Sequence, residues 1–244
     1  MIDHIKAEQP TGGKRFRFVD GIVRYVSKDV MLLCEEWTRH EYHTINFQEL
    51  LMSYNFYDGG DFVDVGAYHG LYPWCLAPRA GKAKFLMVEA LHKYIRYVNR
   101  VCGCLAYLFP DIEFHTIAKP ASDTNMVAAY GGPKSFRSFR PGLREAKVEA
   151  VRIDDLVEEL KMEPTFIKVD TEGAEPFVLR GAKQTLRKFK PKLMVELHHD
   201  CHTDEPTSIQ EVLDLLNNLG YIKVYSLDVG LHRTERTYWI NKNE

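Results

Sequence analysis

From residue 61 onward, short apolar runs alternate with longer amphipathic stretches, a pattern that predicts βαβ units and a parallel sheet. The runs read as strands are Phe62 to Val65, Lys84 to Val88, Ile112 to Ile117, Thr165 to Val169 and Leu193 to Leu197. Apolar residues at helical spacing predict helices near Leu71 to Ala80, His92 to Tyr107, Ala174 to Phe189 and Ser208 to Leu219, the last stopped by Gly220. The pattern then changes: Tyr221 to Leu227 and Arg236 to Ile240 are β-rich and joined by a short loop with Gly230, which predicts an antiparallel pair. The expected architecture is α/β, a mostly parallel sheet with helices on both faces and an antiparallel hairpin at its C-terminal end.

Before the sheet, Arg15 to Val26 alternates around Asp20-Gly21, a dipeptide suited to a type I′ turn, so a hairpin outside the main sheet is expected. Val30 to Arg39 and Ile45 to Tyr54 have roughly helical spacing. These features divide the chain into an N-terminal extension, residues 1–58, and a Rossmann-like domain, residues 59–244. From Lys119 to Lys147 no element fits, because Gly131-Gly132-Pro133 and Pro141-Gly142 break any period. A loop of that length is commonly functional or disordered.

The strand ends carry the candidate chemistry. The first strand closes on Asp64 and runs through Val65-Gly66-Ala67-Tyr68-His69-Gly70, a strand-to-helix turn of the kind that opens a ligand crevice. The G-x-G-x-x-G spacing is absent and no Lys or Arg lies between Asp61 and Trp74, which favours a ligand without phosphates. Glu89 and Asp170 end two further strands, and Asp123 follows a third by a few residues. Any one acid alone reads first as a solvated strand end or a helix N-cap, but four at successive strand ends favour a shared site. They would repel a pyrophosphate and suit ribose hydroxyls, an ammonium and a sulfonium, all of which S-adenosylmethionine carries.

Composition narrows the setting. With 244 residues, 45% of them hydrophobic, the chain can bury the core of one main domain. A formal charge of -2 gives no global drive toward nucleic acid or an anionic membrane. No apolar leader or membrane-length run is present, so a soluble, unexported protein is expected. Cys34, Cys75, Cys102, Cys104 and Cys201 form no C-x-x-C pair, in keeping with a reducing cytoplasm.

The sequence resembles the FkbM-type S-adenosylmethionine-dependent methyltransferases. The matching residues are Phe62 to Gly70, Val88-Glu89, Ile167-Lys168-Val169-Asp170-Thr171-Glu172-Gly173-Ala174-Glu175, Val178 to Ala182 and Pro191 to His198. The Asp-x-Glu-Gly-Ala-Glu block with Leu-x-Gly-Ala and Glu-x-His is far more specific than the glycine turn. The resemblance implies a Rossmann-like class I methyltransferase fold and O-methylation of a small-molecule or sugar hydroxyl. It also implies a donor held by Asp64, Gly66, Ala67, Tyr68 and Gly70, by Glu89 and Ala90, and by Ser122 and Asp123. The family commonly has Asn where Tyr68 stands and Pro where Ala90 stands. Tyr68 reads evenly as an aromatic wall for the donor or as packing.

Methyl transfer needs an acceptor oxygen aligned with the S-methyl bond and relieved of its proton. Asp170, Glu196 and His198, with Glu172, should meet at the ends of the fourth and fifth strands; Asp170 is the first choice of base and His198 the alternative. Asp170, Glu196 and His198 also form a secondary candidate for a divalent metal. Glu175 reads first as a charge complementing the next helix dipole. His199 and His202 are lesser acceptor contacts, and Arg187, Lys188, Lys190 and Lys192 offset a helix C-terminus. The basic, aromatic stretch Lys134 to Arg140 with Arg144 and Lys147 reads as a solvated loop ahead of a lid or nucleic-acid contact. The competing functions are a non-catalytic module binding S-adenosylmethionine, RNA or a protein, and an NAD-dependent oxidoreductase, which the absent central glycine disfavours.

Overall fold

A computed structural model describes residues 2–8, 14–17, 23–26, 43–130, 145–198, 207–228 and 234–242. The first elements are β1 (Asp3–His4), β2 (Lys14–Arg17), β3 (Val23–Val26) and α1 (His43–Phe56). Then come β4 (Asp61–Val65), α2 (Leu71–Ala80), β5 (Ala83–Val88), α3 (His92–Leu108) and β6 (Ile112–Ile117). After β7 (Met126–Tyr130) and β8 (Glu145–Glu149) follow α4 (Ile153–Glu159), β9 (Pro164–Val169), α5 (Glu175–Gly181) and α6 (Lys183–Phe189). The chain closes with β10 (Lys192–His198), α7 (Thr207–Asn218), β11 (Tyr221–Asp228) and β12 (Thr234–Asn241).

Eight strands form one sheet in the order β1-β6-β5-β4-β9-β10-β12-β11. The five from β6 to β10 are parallel, and the C-terminal pair β11 and β12 is antiparallel as expected. From β4 the chain builds outward through β5 and β6, then returns to the other side of β4 with β9 and β10. The order therefore reverses between β4 and β9, where ligands bind in open α/β sheets. Residues alternate between two packed faces. Phe166, Phe62, Phe85 and Phe114 run across neighbouring strands as an aromatic row with centroid spacings of 5.6, 5.3 and 5.4 Å, under α1, α2 and α3. Val63, Val65, Leu86, Ile167 and Val169 face the other way, against α4, α5, α6 and α7. Each fully buried side chain of this size contributes about 1.5–3 kcal/mol.

The separate hairpin of β2 and β3 is present, with Arg15 opposite Tyr25, although its Asp20-Gly21 turn lies outside the described residues. So do the Val30 to Arg39 segment, Gly230, most of the basic stretch including Lys134 to Arg140 and Arg144, and His199 and His202. Two expectations are revised. Ala174 to Phe189 is two helices that break at Ala182. There the Asp154 carboxylate accepts the Gln184 and Thr185 N–H groups at 3.1 and 2.8 Å, capping the second helix. The region from Lys119 to Lys147, read as a loop, contains β7 and most of β8, which pair antiparallel. The short helix α4 and the two-residue β1, which pairs with β6 through His4 and His115, were not anticipated.

Candidate active site

Strand register sets the site. Val65, Val88, Val169 and Val195 stand level on β4, β5, β9 and β10, so Gly66, Glu89, Asp170 and Glu196 follow along one line across the switch point. Gly66 has φ +82°, and a Cβ there would lie 1.7 Å from the Asp170 carbonyl oxygen. No other residue lets the β4 and β9 loops cross so closely. The Gly66 and Ala67 N–H groups donate to the Val88 carbonyl at 2.9 and 3.2 Å. Gly70, also left-handed, lets α2 begin against Val98 and Val101 of α3.

On the β5 side, Glu89 accepts the N–H of Tyr68 and of Leu91, each at 2.8 Å, one on each carboxylate oxygen. Each oxygen keeps a lone pair free. Burial raises the Glu89 pKa, against the pull of those two N–H groups. Ala90 continues the loop between Glu89 and Leu91. Tyr68 is left-handed at φ 48°, a conformation that costs a side chain with Cβ roughly 1–2 kcal/mol and that Asn tolerates well. The backbone thus explains why Asn suits this position. The Tyr68 ring, half exposed, packs at a tilt against His69 and Tyr94, with centroids 3.8 and 4.3 Å away.

Asp64 is fully buried beneath the turn rather than at its surface. Its partner is Lys168, whose Nζ lies 3.3 Å from Asp64 Oδ1 and 3.4 Å from Asp170 Oδ2 and donates to the Gly66 carbonyl at 2.7 Å. The local sequence lacks a cation at the turn; β9 supplies one. Burial raises the Asp64 pKa. Burial also pulls Lys168 down, but the charges of Asp64 and Asp170 outweigh it and hold the ammonium above its ordinary value.

Asp170, Glu172, Glu196 and His198 come together as the sequence indicated. His198 Nε2 lies 3.9 Å from Asp170 Oδ1, 3.9 Å from Glu172 Oε2 and 4.0 Å from Glu196 Oε1. Glu175 opens α5, yet it is buried and turned back into the site rather than solvated. Its Oε1 accepts from the Thr171 and Gly173 N–H groups at 3.0 and 3.1 Å and meets His198 Nδ1 at 3.1 Å. One carboxylate therefore shapes the β9 loop and orients the imidazole. Burial pulls His198 down, but Glu175, Asp170 and Glu196 together push it up to about 10. Burial and the Asp170 charge push Glu196 up to about 8, against the pull of Arg236. Asp170 sits below the usual carboxylate range because Lys168 and His198 outweigh its burial.

Ser122 and Asp123 are held by other partners. Arg180 Nε of α5 meets Asp123 Oδ2 at 2.6 Å, the Ser122 hydroxyl donates to Asp123 Oδ1 at 3.2 Å, and the Ser122 N–H donates to the Val151 carbonyl. Of the expected β6-side donor contacts, the acid is thus committed to an ion pair.

A model of the methyltransferase FkbM domain matches residues 64–223. The chain belongs to the FkbM methyltransferase family. An FkbM methyltransferase crystal structure from Methylobacillus flagellatus KT superposes with a TM-score of 0.53 at 19% identity, covering 75% of this chain and 44% of that one. The present chain thus spans less than half the length of that relative. An O-methyltransferase from Bacillus cereus in complex with SAH gives a TM-score of 0.55 at 12% identity over 88% of this chain and 89% of that one. Aeropyrum pernix fibrillarin, with natively bound S-adenosyl-L-methionine, gives 0.50 at 12% identity over 98% of each chain. At these identities the likeness is one of fold, that of Rossmann-like class I methyltransferases. No curated protein matches the chain.

Four contributors to the network, two of them outside the FkbM match, carry little or no signal in the sequence. Lys168 reads in the sequence only as part of a motif, and the one signal is a lysine inside an apolar strand. Arg236 of β12 reaches Glu49 of α1 at 2.6 Å and Glu196 at 3.2 Å. Tyr72 of α2 donates its hydroxyl to Glu49 and lies under the Lys168 ammonium. Glu49 carried no signal in the sequence, since a glutamate on a helix is ordinarily solvated. Among the described residues no helix is long and apolar enough to cross a membrane.

Proposed function

We propose that the chain is an S-adenosylmethionine-dependent O-methyltransferase acting on a hydroxyl of a small-molecule or carbohydrate-like acceptor. The observation that carries this reading is the level line of strand ends, with a glycine cradle and a half-satisfied acid on one side of the switch point and an acid–histidine cluster on the other. The donor fits what is there: Gly66 leaves backbone bare for close approach, and Glu89 retains acceptor capacity for ribose hydroxyls. The excess of carboxylates suits a cationic ligand. Two structural neighbours hold this donor or its demethylated product, which supports the assignment.

Bound S-adenosylmethionine supplies an electrophilic methyl group on a positively charged sulfur. Glu89 holds the ribose, and Tyr68 and Ala67 line the same turn. Asp64 acts indirectly, by fixing the Lys168 ammonium that grips the Gly66 carbonyl. Asp170, the most accessible carboxylate in contact with Lys168, accepts the proton of the acceptor hydroxyl, while Glu196 and His198 orient that hydroxyl. The buried free thiols of Cys75 and Cys102 support a cytoplasmic setting. Calorimetric titration with S-adenosylmethionine and S-adenosylhomocysteine tests the donor, and both should also raise the melting temperature with concentration. Absence of binding by either compound at about millimolar concentration would end the proposal.

A further inference from the structure

We propose that the acceptor side of the crevice binds one divalent transition-metal ion, held by His198 Nε2 and the carboxylates of Asp170, Glu172 and Glu196. Any catalytic use of the ion rests on the methyl-transfer reading above; its binding does not.

Three observations converge. His198 is 6% exposed and its Nδ1 is engaged by Glu175, which leaves Nε2 directed at the cluster. Nε2 makes no hydrogen bond among the described residues, yet three carboxylate oxygens surround it at 3.9, 3.9 and 4.0 Å. These gaps are too long for hydrogen bonds and too short for unscreened indifference. The Asp170, Glu196 and His198 ligand atoms lie within 4.8 Å of one another. An ion bonded at about 2.1 Å spaces its ligands roughly 3–4 Å apart, so an inward movement of about 1 Å or less brings these three onto it, and the exposed Glu172 side chain swings in as the fourth.

Charge points the same way. Carboxylates of Glu49, Asp64, Asp170, Glu172, Glu175 and Glu196 gather around two fixed cations among the described residues, Lys168 and Arg236, and around the His198 imidazole, whose Nε2 proton a metal ion would displace. Each cation bridges two of the acids, and neither lies against Glu172. The His198 end of the cluster is where further positive charge is accommodated. A buried carboxylate that takes the second ring nitrogen, as Glu175 does, is also the usual support of a metal-binding imidazole. One nitrogen among oxygen ligands selects a first-row ion such as Mn²⁺ or Zn²⁺ over Mg²⁺. The exposed Glu172 side leaves room for an oxygen of the acceptor to join the ion, which would lower that oxygen's pKa.

The test uses the metal-stripped full chain titrated with Mn²⁺, the free ion being followed by electron paramagnetic resonance. One Mn²⁺ should bind per chain and resist displacement by Mg²⁺. His198→Gln should weaken binding at least about tenfold, and Glu175→Gln, which leaves all four ligands in place, about 10–100-fold. S-adenosylhomocysteine binding, measured on the same samples, reports an intact crevice. No saturable Mn²⁺ binding up to about 1 mM by chain that still binds S-adenosylhomocysteine would overturn the site. Affinity unchanged in His198→Gln would overturn it equally. Mn²⁺ binding without S-adenosylhomocysteine binding would leave the metal site standing and remove the methyl-transfer reading instead.

Discussion

The two sides of the crevice are built by different means. On the β4 and β5 side the backbone does most of the shaping: a left-handed Gly66, N–H groups donated to Val88, and a Glu89 carboxylate held by two more N–H groups. On the β9 and β10 side, side chains hold one another in a network that reaches Glu49 of α1, Tyr72 of α2 and Arg236 of β12. On the methyl-transfer reading proposed above, the backbone-built surface would recognise the donor common to every turnover. On the same reading, the surface assembled from distant side chains would be the one free to vary with the acceptor. Lys168 belongs to both, lying between Asp64 and Asp170.

The largest expected effect separates the two sides outright. Asp170→Asn should lower turnover by about 10²–10⁴-fold while calorimetry finds S-adenosylhomocysteine bound as before. Turnover at the wild-type level would remove Asp170 from the chemistry. Lys168→Met should break the division, because it strands two carboxylates: a stability loss of about 3–5 kcal/mol in denaturant unfolding, partly recovered by adding Asp64→Asn. If Asp64→Asn brings no recovery, the ion pair is not what fastens the turn. Glu89→Gln should act on one side alone, raising the donor Kd about tenfold with turnover at saturating donor nearly unchanged. An equal fall in saturated turnover would show that the two sides are not separable.

The smallest effect lies outside both and serves as a control. His115 on β6 is buried against His4, and burial with the nearby His4 charge lowers its pKa from 6.5 to about 4. Between these values the unfolded chain binds the proton and the folded one does not, so stability should fall as pH drops from about 6.5 toward 4 and then level off. His115→Phe should flatten part of that slope in unfolding titrations. An identical slope in the variant would assign the acid sensitivity to other groups.

The same division explains what could be read in advance. Strand ends, the Gly66 turn and the acids beyond them are local: each is an apolar run, a break and a polar residue in sequence, so their joint position follows from the pattern. Asp170, Glu196 and His198 were legible too, because parallel neighbours of similar length end together. Glu49 and Arg236 were not, since their meeting depends on α1 and an antiparallel strand converging from opposite ends of the chain. The burial of Asp64 was hidden for a related reason: its counter-ion stands on β9, 104 residues away on the chain and next to it in space. Helix α4 has seven residues, too few for a helical period to declare itself, and β1 has two.

The edges of the sheet have a bearing on assembly. At one end β1 lies across β6 and takes up its hydrogen-bonding groups near His115 and Thr116. At the other, β11 changes register between Lys223 and Tyr225 and carries Ile222, Val224 and Tyr225 on its surface. A strand arriving from another molecule thus meets an occupied rim on one side and an interrupted one on the other, so among the described residues the sheet offers no continuous template for fibre growth. Removing residues 1–8 would uncover β6, and the shortened chain should aggregate faster on heating than the full one.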